Sequence, residues 1–443
     1  MRIFTCAQCN NTVFFENVRC IHCNATLAYF PEQRMVSAIV PVQPTAAAPA
    51  QPAAKGQPAA PPPPNGQAQP APPPSGQAQP APLYEAAAKS IKGQYRLCAN
   101  SLAYGVCNSA VRAEDPEPLC EACRLNDVVP DLSDQGAHDA WQSLERAKRR
   151  LLFSLHELGL PVESRVERPQ NGLQFNFMKD QPDGTKVFTG HSDGLITINI
   201  AEADDPLREK LRKQLGEGYR TVLGHFRHEV GHYYWDRLVK DSPWLAPCRA
   251  LFGDESIDYG EAVKRHYAQG SPPDWPQHYV SSYATMHPWE DWAETWAHYM
   301  HLVDTLETAD TYGLVLKPKP VGGRTTETVS VRNIDFEDFD ELLSAWIPVT
   351  VALNSLNRSM GIIDPYPFVL CDDVIAKLRF VHDLVMLWNA DEAKQKATID
   401  AWLKRAAQTQ PQNQPQQQPA QPAAVAKPAD ARGTTQAAAQ PVS

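Results

Sequence analysis

"HFRHEVGHYYWDRLV", residues 225–239, decides how this chain is read. His228 and His232 stand four apart, with Glu229 directly after the first. On a helix, positions i and i+4 share a face, so both imidazoles can reach one ion. Glu229 is turned away by about 100° and falls beside that ion rather than on it. That is the place for a general base acting on a metal-activated water. The flanks "YRTVLGHFR" and "YYWDRLV" are amphipathic and suit a helix half buried behind a cleft. Gly231, next to the second histidine, leaves room for another element to approach closely. Two histidines do not complete a catalytic zinc site, which needs a third protein ligand and an open position.

The missing ligand is sought in "SSYATMHPWEDWAETWAHYMH", residues 281–301. Pro288 is a natural first helical residue, and Glu290 and Glu294 lie four apart on one face. Acidic residues in a first helical turn also complement the helix dipole. Trp289, Trp292 and Trp296, however, make this helix mostly buried, where unpaired carboxylates are costly. A metal and its histidines remove that cost. Glu290 is therefore assigned as third ligand. Glu294 is assigned to accept a proton from the far nitrogen of a ligand histidine, with the reverse assignment of the two glutamates open. Asp236 is a weaker partner for a ligand, and His225, His287, His298 and His301 are read as packing or hydrogen-bonding residues.

Eight of the ten cysteines precede residue 124. "CAQCNNTVFFENVRCIHC" supplies Cys6, Cys9, Cys20 and Cys23 as two C-x2-C turns, the pattern of a four-thiolate structural zinc site with no open position. A segment this short depends on its metal to fold. Cys98, Cys107, Cys120 and Cys123 have looser spacing and are read as a second four-thiolate site, the alternative being sulfurs shared with the first group. Cys248 and Cys371 are assigned no chemistry. Paired thiolates of this kind suit a reducing compartment.

The 443 residues allow one large domain with smaller modules. The parts expected are a Cys-rich unit at 1–30, a disordered Pro/Ala/Gln linker at 41–82 acting as a spacer, and a second Cys segment at 93–126. A main domain at 127–406 and a disordered tail at 407–443 follow. In the main domain "LQFNFM", "KVFTG" and "GLITINI" alternate like strands. Helical patterns cover the stretch from Asp139 to Gly159, 206–239, 254–269, 288–305, 336–358, 372–388 and 391–406. A few strands followed by many helices predict an α+β domain with a small antiparallel sheet. The net charge of −10 argues against a nonspecific nucleic-acid binder. No apolar run approaches the ~18 residues of a membrane span. The start, "MRIFTCAQCN", lacks the pattern of a signal peptide, so a cytoplasmic location is expected.

Both Cys segments, with "YRLCAN", "PLCEACRLN", "FRHEVGHYYWDRLV", "LFGDE" and "HPWEDWAETWAHY", resemble the bacterial zinc-binding metallopeptidase family that carries an N-terminal zinc ribbon. The resemblance covers most of 1–30 and 93–390, and the Pro/Ala/Gln tract looks like an insertion relative to it. It implies a mostly helical zincin-like domain preceded by small zinc-ribbon modules. "EDWAE", Glu290 to Glu294, with Tyr283 seven residues before Glu290, also looks like the third-ligand helix of the anthrax-lethal-factor type of gluzincin. That similarity implies Tyr283 as donor to a developing oxyanion, and "GLITINI" as the edge strand to which an extended peptide adds. The reading is a zinc-dependent peptidase with one catalytic and one or two structural zinc ions, acting on a protein or peptide. Its ribbons would dock a partner or present substrate on a flexible arm. The alternatives are a non-catalytic adaptor that recruits a partner through its ribbons, and zinc hydrolysis of a non-peptide amide.

Overall fold

Two repeats of the same turn organise the N-terminus of the computed structural model, which describes residues 2–42, 81–181, 183–204, 208, 221–319 and 328–409. After strand β1 (Phe4–Thr5), Cys6 N–H donates to Asn11 O and Asn10 N–H to Cys6 O, both at 2.8 Å; β2 (Thr12–Val13) pairs back on β1. Cys20 repeats the geometry, donating to Ala25 O while Asn24 N–H donates to Cys20 O, both at 2.9 Å. The residue after each C-x2-C is an asparagine with positive φ, 60° at Asn10 and 59° at Asn24. Asparagine tolerates that left-handed conformation better than most residues.

A five-stranded antiparallel sheet then runs in the order β3 (Leu27–Phe30), β4 (Met35–Pro41), β5 (Tyr84–Ala86), β6 (Tyr95–Leu97), β7 (Ala110–Arg112). Helix α1 (Ala99–Tyr104) separates β6 from β7, and α2 (Glu121–Arg124) carries Cys123, the last of the eight N-terminal cysteines. This sheet changes two expectations. The two Cys segments are not separate beads, because one sheet spans both. The Pro/Ala/Gln tract is not a spacer between them either. It leaves β4 and returns on β5, with Ile39 opposite Ala86 and Val42 N–H bonded to Leu83 O at 2.9 Å. Whatever conformation it takes, its ends are held side by side at the tip of a hairpin. Residues 43–80 themselves lie outside the described residues, as do 410–443 of the expected tail.

Helix α3 (Ala137–Glu157) receives this module on one face. Phe153 packs against Phe15 and Tyr29, with ring centroids 5.3 and 6.2 Å apart. Asn108, from the second Cys segment, donates to Phe15 O at 2.6 Å and accepts from Arg149 of α3. Arg34 donates to His156 O at 3.0 Å, and Arg150 pairs with Glu16. The ribbons are therefore built onto the main domain, which corrects the expectation of a flexible arm.

The other face of α3 covers a four-stranded sheet of order β10 (Gly190–Ser192), β11 (Leu195–Asn199), β9 (Gln174–Met178), β8 (Asn126–Val128). The α+β class holds, but the sheet is mixed rather than antiparallel: β9 runs parallel to both β8 and β11, and only β10 is antiparallel to its neighbour. Alternation reports which residues face inward and says nothing of strand sense; here α3 forms the crossover that parallel β8 and β9 require. "KVFTG" does not form a strand, apart from Gly190. Val187 N–H bonds the Asp180 carboxylate at 3.0 Å, and Phe188 is 81% exposed. β11 is paired on both sides, so "GLITINI" is an inner strand and the edges belong to β10 and β8.

Seven more α-helices have described bounds: α4 (Val222–Tyr234), α5 (Leu245–Phe252), α6 (Tyr259–Gln269), α7 (Pro288–Thr311), α8 (Phe339–Ser359), α9 (Asp372–Leu387) and α10 (Glu392–Thr409). Between α7 and α8, short strands β12 (Val315–Leu316) and β13 (Val329–Ser330) pair. α4 continues into one π-helical turn, Trp235–Val239, while most of 205–220 is outside the described residues. α5 was not expected from sequence, and the helix expected at 254–269 begins only at Tyr259, where Asp258 accepts from Glu261 N–H at 2.8 Å as its cap. Phe175, Phe177, Phe226, Trp292 and Trp296 form the core between sheet, α4 and α7. Among the described residues no helix is long and apolar enough to cross a membrane.

Candidate metal centre

α4 and α7 approach closely because Gly231 lets them. A Cβ added there would lie 3.1 Å from Ala293 Cα and from Trp296 Cβ, and Trp292 Nε1 donates to Gly231 O at 2.8 Å. Gly231→Val should thus separate the two helices, destabilising the fold by about 1–3 kcal/mol and weakening metal binding at the centre they form. Thermal melting and metal titration check this; a variant with wild-type stability and affinity would contradict it.

On α4, capped by Thr221 accepting from Gly224 N–H at 2.9 Å, the rings of His228 and His232 are 4.9 Å apart and nearly perpendicular. α7 begins with its own cap: His287 Nδ1 accepts from Trp289 N–H at 3.0 Å, Pro288 fills the first position, and His287 Nε2 meets Ile257 O at 3.1 Å. This fixes Glu290 in the first turn. Its Oε2 lies 3.0 Å from His228 Nε2 and 3.6 Å from His232 Nε2, and the three ligand atoms all lie within 4.8 Å of one another. A tetrahedral ion with bonds of about 2.1 Å needs donors about 3.4 Å apart, so the set fits zinc.

Glu294 stands one turn further along α7. Its Oε1 is 2.7 Å from His228 Nδ1, and its Oε2 accepts from Ser281 Oγ at 2.6 Å. Glu290 and Glu294 thus occupy opposite nitrogens of His228. Burial opposes the charge of all three groups. The imidazoles nevertheless hold Glu290 well below the ordinary carboxylate range and Glu294 at about 2, while the two carboxylates hold His228 well above its usual value. Glu229 is 8% exposed, and burial raises its pKa despite the neighbouring imidazoles. Three carboxylates are thus gathered about two imidazoles, an excess of negative charge that a dication balances. His232 Nδ1, by contrast, is buried without a hydrogen-bond partner among the described residues.

Tyr283 lies beside this cluster, its ring 5.9 Å from that of His228. Three neighbours were not foreseen from sequence: Ser281, Tyr259, whose hydroxyl donates to Glu290 Oε1 at 2.9 Å, and His191 of β10, whose ring is 6.2 Å from that of His232. Burial pushes His191 down to about 3, and its Nε2 accepts from Gly194 N–H at 3.0 Å. The other histidines weighed from sequence serve packing or hydrogen bonding: His298 Nδ1 meets the Tyr366 hydroxyl at 2.8 Å, His225 pairs with Glu202 at 3.2 Å, and His301 packs edge-on to Trp346 and tilted against Tyr366. Asp236 pairs with Lys240 at 3.4 Å.

The cysteines form two separate groups of four, Cys6–Cys9–Cys20–Cys23 and Cys98–Cys107–Cys120–Cys123. Sγ atoms of Cys6 and Cys23 are 3.7 Å apart, those of Cys9 and Cys20 are 3.6 Å, and those of Cys107 and Cys120 are 3.6 Å. These separations approach the ~3.8 Å edge of a tetrahedron with Zn–S bonds of 2.3 Å. Backbone N–H groups face the sulfurs, Ser109 to Cys107 at 3.4 Å and Cys120 to Cys98 at 3.3 Å, and the Cys23 N–H helps pull the Cys20 thiol down to about 6. Both groups suit thiolates on zinc.

Comparison with known proteins agrees with this geometry. Residues 137–384 match the family described as "Putative zinc-binding metallo-peptidase", and 3–57 with 76–134 match a zinc-ribbon domain, interrupted within the tract at the β4–β5 hairpin. Uncharacterized proteins of Mycobacterium bovis and of two strains of Mycobacterium tuberculosis are each 43% identical over 291 residues, which is 66% of this chain and 82% of theirs. No solved structure matches. With a family match over more than half its length and relatives this similar, the chain belongs to that zinc-binding metallo-peptidase family.

Proposed function

We propose that this protein is a zinc-dependent peptidase of gluzincin type, working in the cytoplasm on peptide or protein substrates. The observation that carries the reading is the convergence of His228, His232 and Glu290 from two helices far apart in sequence, beside a buried Glu229 that is not one of the three. A zinc ion held by those three residues would polarise a carbonyl and make water acidic enough to attack it near neutral pH. Glu229, next to His228 on α4, takes the proton of the attacking water and passes it to the leaving amine. Glu294 holds the Nδ1–H of His228 and so aims its Nε2 at the ligand position. Tyr283 donates to the carbonyl oxygen as it gains charge.

The substrate backbone, in this reading, adds to the edge strand β10, which carries His191 past the ring of His232. The zinc ribbons brace α3, and we extend to them the recruitment of a protein partner or substrate, for which Ile21, 92% exposed between Cys20 and Cys23, offers apolar surface. Digestion of an unstructured protein such as casein, with Glu229→Gln as control, tests the reading. Equal cleavage by both proteins would assign the activity to a contaminant.

A further inference from the structure

The orientation of Glu290 is set partly from outside the helix that carries it. Oε2 faces the two imidazoles, at 3.0 and 3.6 Å, whereas Oε1 accepts from the Tyr259 hydroxyl at 2.9 Å. Tyr259 is the first residue of α6, a helix on which Ala262 alone is buried. Glycines with positive φ bound this segment, Gly253 at 97° and Gly270 at 72°. The helix reaches the metal centre through side chains. The Tyr259 ring packs on His287 and Trp289, with centroids 5.3 and 6.2 Å apart, and His266 Nδ1 meets Thr285 Oγ1 at 3.4 Å.

A carboxylate can close on a cation with one oxygen or with both. In a site built from three protein ligands, the second oxygen competes for the position that water and substrate must take. A phenolic O–H on Oε1 forms a charge-assisted bond that opposes this closure.

We propose that Tyr259 is a positioning residue: by engaging Oε1 it keeps Glu290 a one-oxygen ligand and keeps a coordination position open. The proposal rests on the metal-centre reading and adds to it a residue that touches neither metal nor substrate.

The test uses full-length protein with zinc on its cysteines and cobalt(II) at the centre, with His228→Ala as blank. In Tyr259→Phe, cobalt should stay bound while its visible absorption weakens and shifts toward that of a site with one more ligand. Casein cleavage should fall about tenfold to a hundredfold. Tyr267→Phe, on the same helix and 68% exposed, should change neither. An unaltered cobalt spectrum in Tyr259→Phe would overturn the proposal even if activity fell, because an oxyanion donor would lower turnover without touching coordination. Wild-type protein that takes up no more cobalt than the His228→Ala blank would instead overturn the metal centre, and this proposal with it.

Discussion

Glu229→Gln protein should cleave casein about a hundredfold to ten-thousandfold more slowly than wild type, with its metal content unchanged. The substitution keeps the size of the side chain and takes away only its capacity to accept a proton. Glu229 is not among the three residues whose ligand atoms converge, so the ion should stay. It is buried on the same helix as His228 and His232, and burial raises its pKa above the ordinary carboxylate value. A loss smaller than tenfold would remove Glu229 from the chemistry. A loss accompanied by metal release would make its role structural.

Replacing Cys6 and Cys9 together by serine should unfold the N-terminal ribbon and also weaken the main domain. Structural zinc contributes about 10–16 kcal/mol to the folding of small zinc-finger units, far more than the few buried residues here could supply. The core of this unit, Val13, Phe15, Leu27, Tyr29, Val36 and Ala38, includes Phe153 of α3. Its loss leaves an aromatic side chain of the main domain uncovered and the Asn108–Arg149 bond without its Phe15 anchor. The melting temperature of the main domain should fall by on the order of 5–10 °C, as expected for roughly 3 kcal/mol lost from a domain of this size. A main-domain transition identical to wild type, followed by calorimetry, would mean that the ribbon is an independent bead after all.

Much of the cluster between α4 and α7 could be read from local spacing, because its parts are local. The i, i+4 relation between His228 and His232 puts both rings on one helix face, and the same relation places Glu290 and Glu294 at opposite nitrogens of His228. The small residue Gly231 marks the helix crossing. What spacing could not convey was pairing across long intervals. Nothing near "GLITINI" says that three residues of β10 take the outer edge, or that β9 and β11 run the same way. Nothing in the Pro/Ala/Gln tract says that Ile39 faces Ala86. Tyr259 and Ser281 escaped notice for the same reason: each reaches the centre from outside its helices, and an isolated tyrosine or serine carries no periodic signal. The docking of Phe153 on Phe15 was hidden because an apolar position on α3 looks the same whether it faces the sheet or the ribbon.

Counting zinc tests the account at its base. Wild-type protein loaded with zinc and freed of excess should carry three ions per chain, two on the cysteines and one between α4 and α7, and His228→Ala should carry two. Two ions in both proteins would contradict it, leaving His228, His232 and Glu290 as a buried hydrogen-bonded cluster with no hydrolytic chemistry to perform.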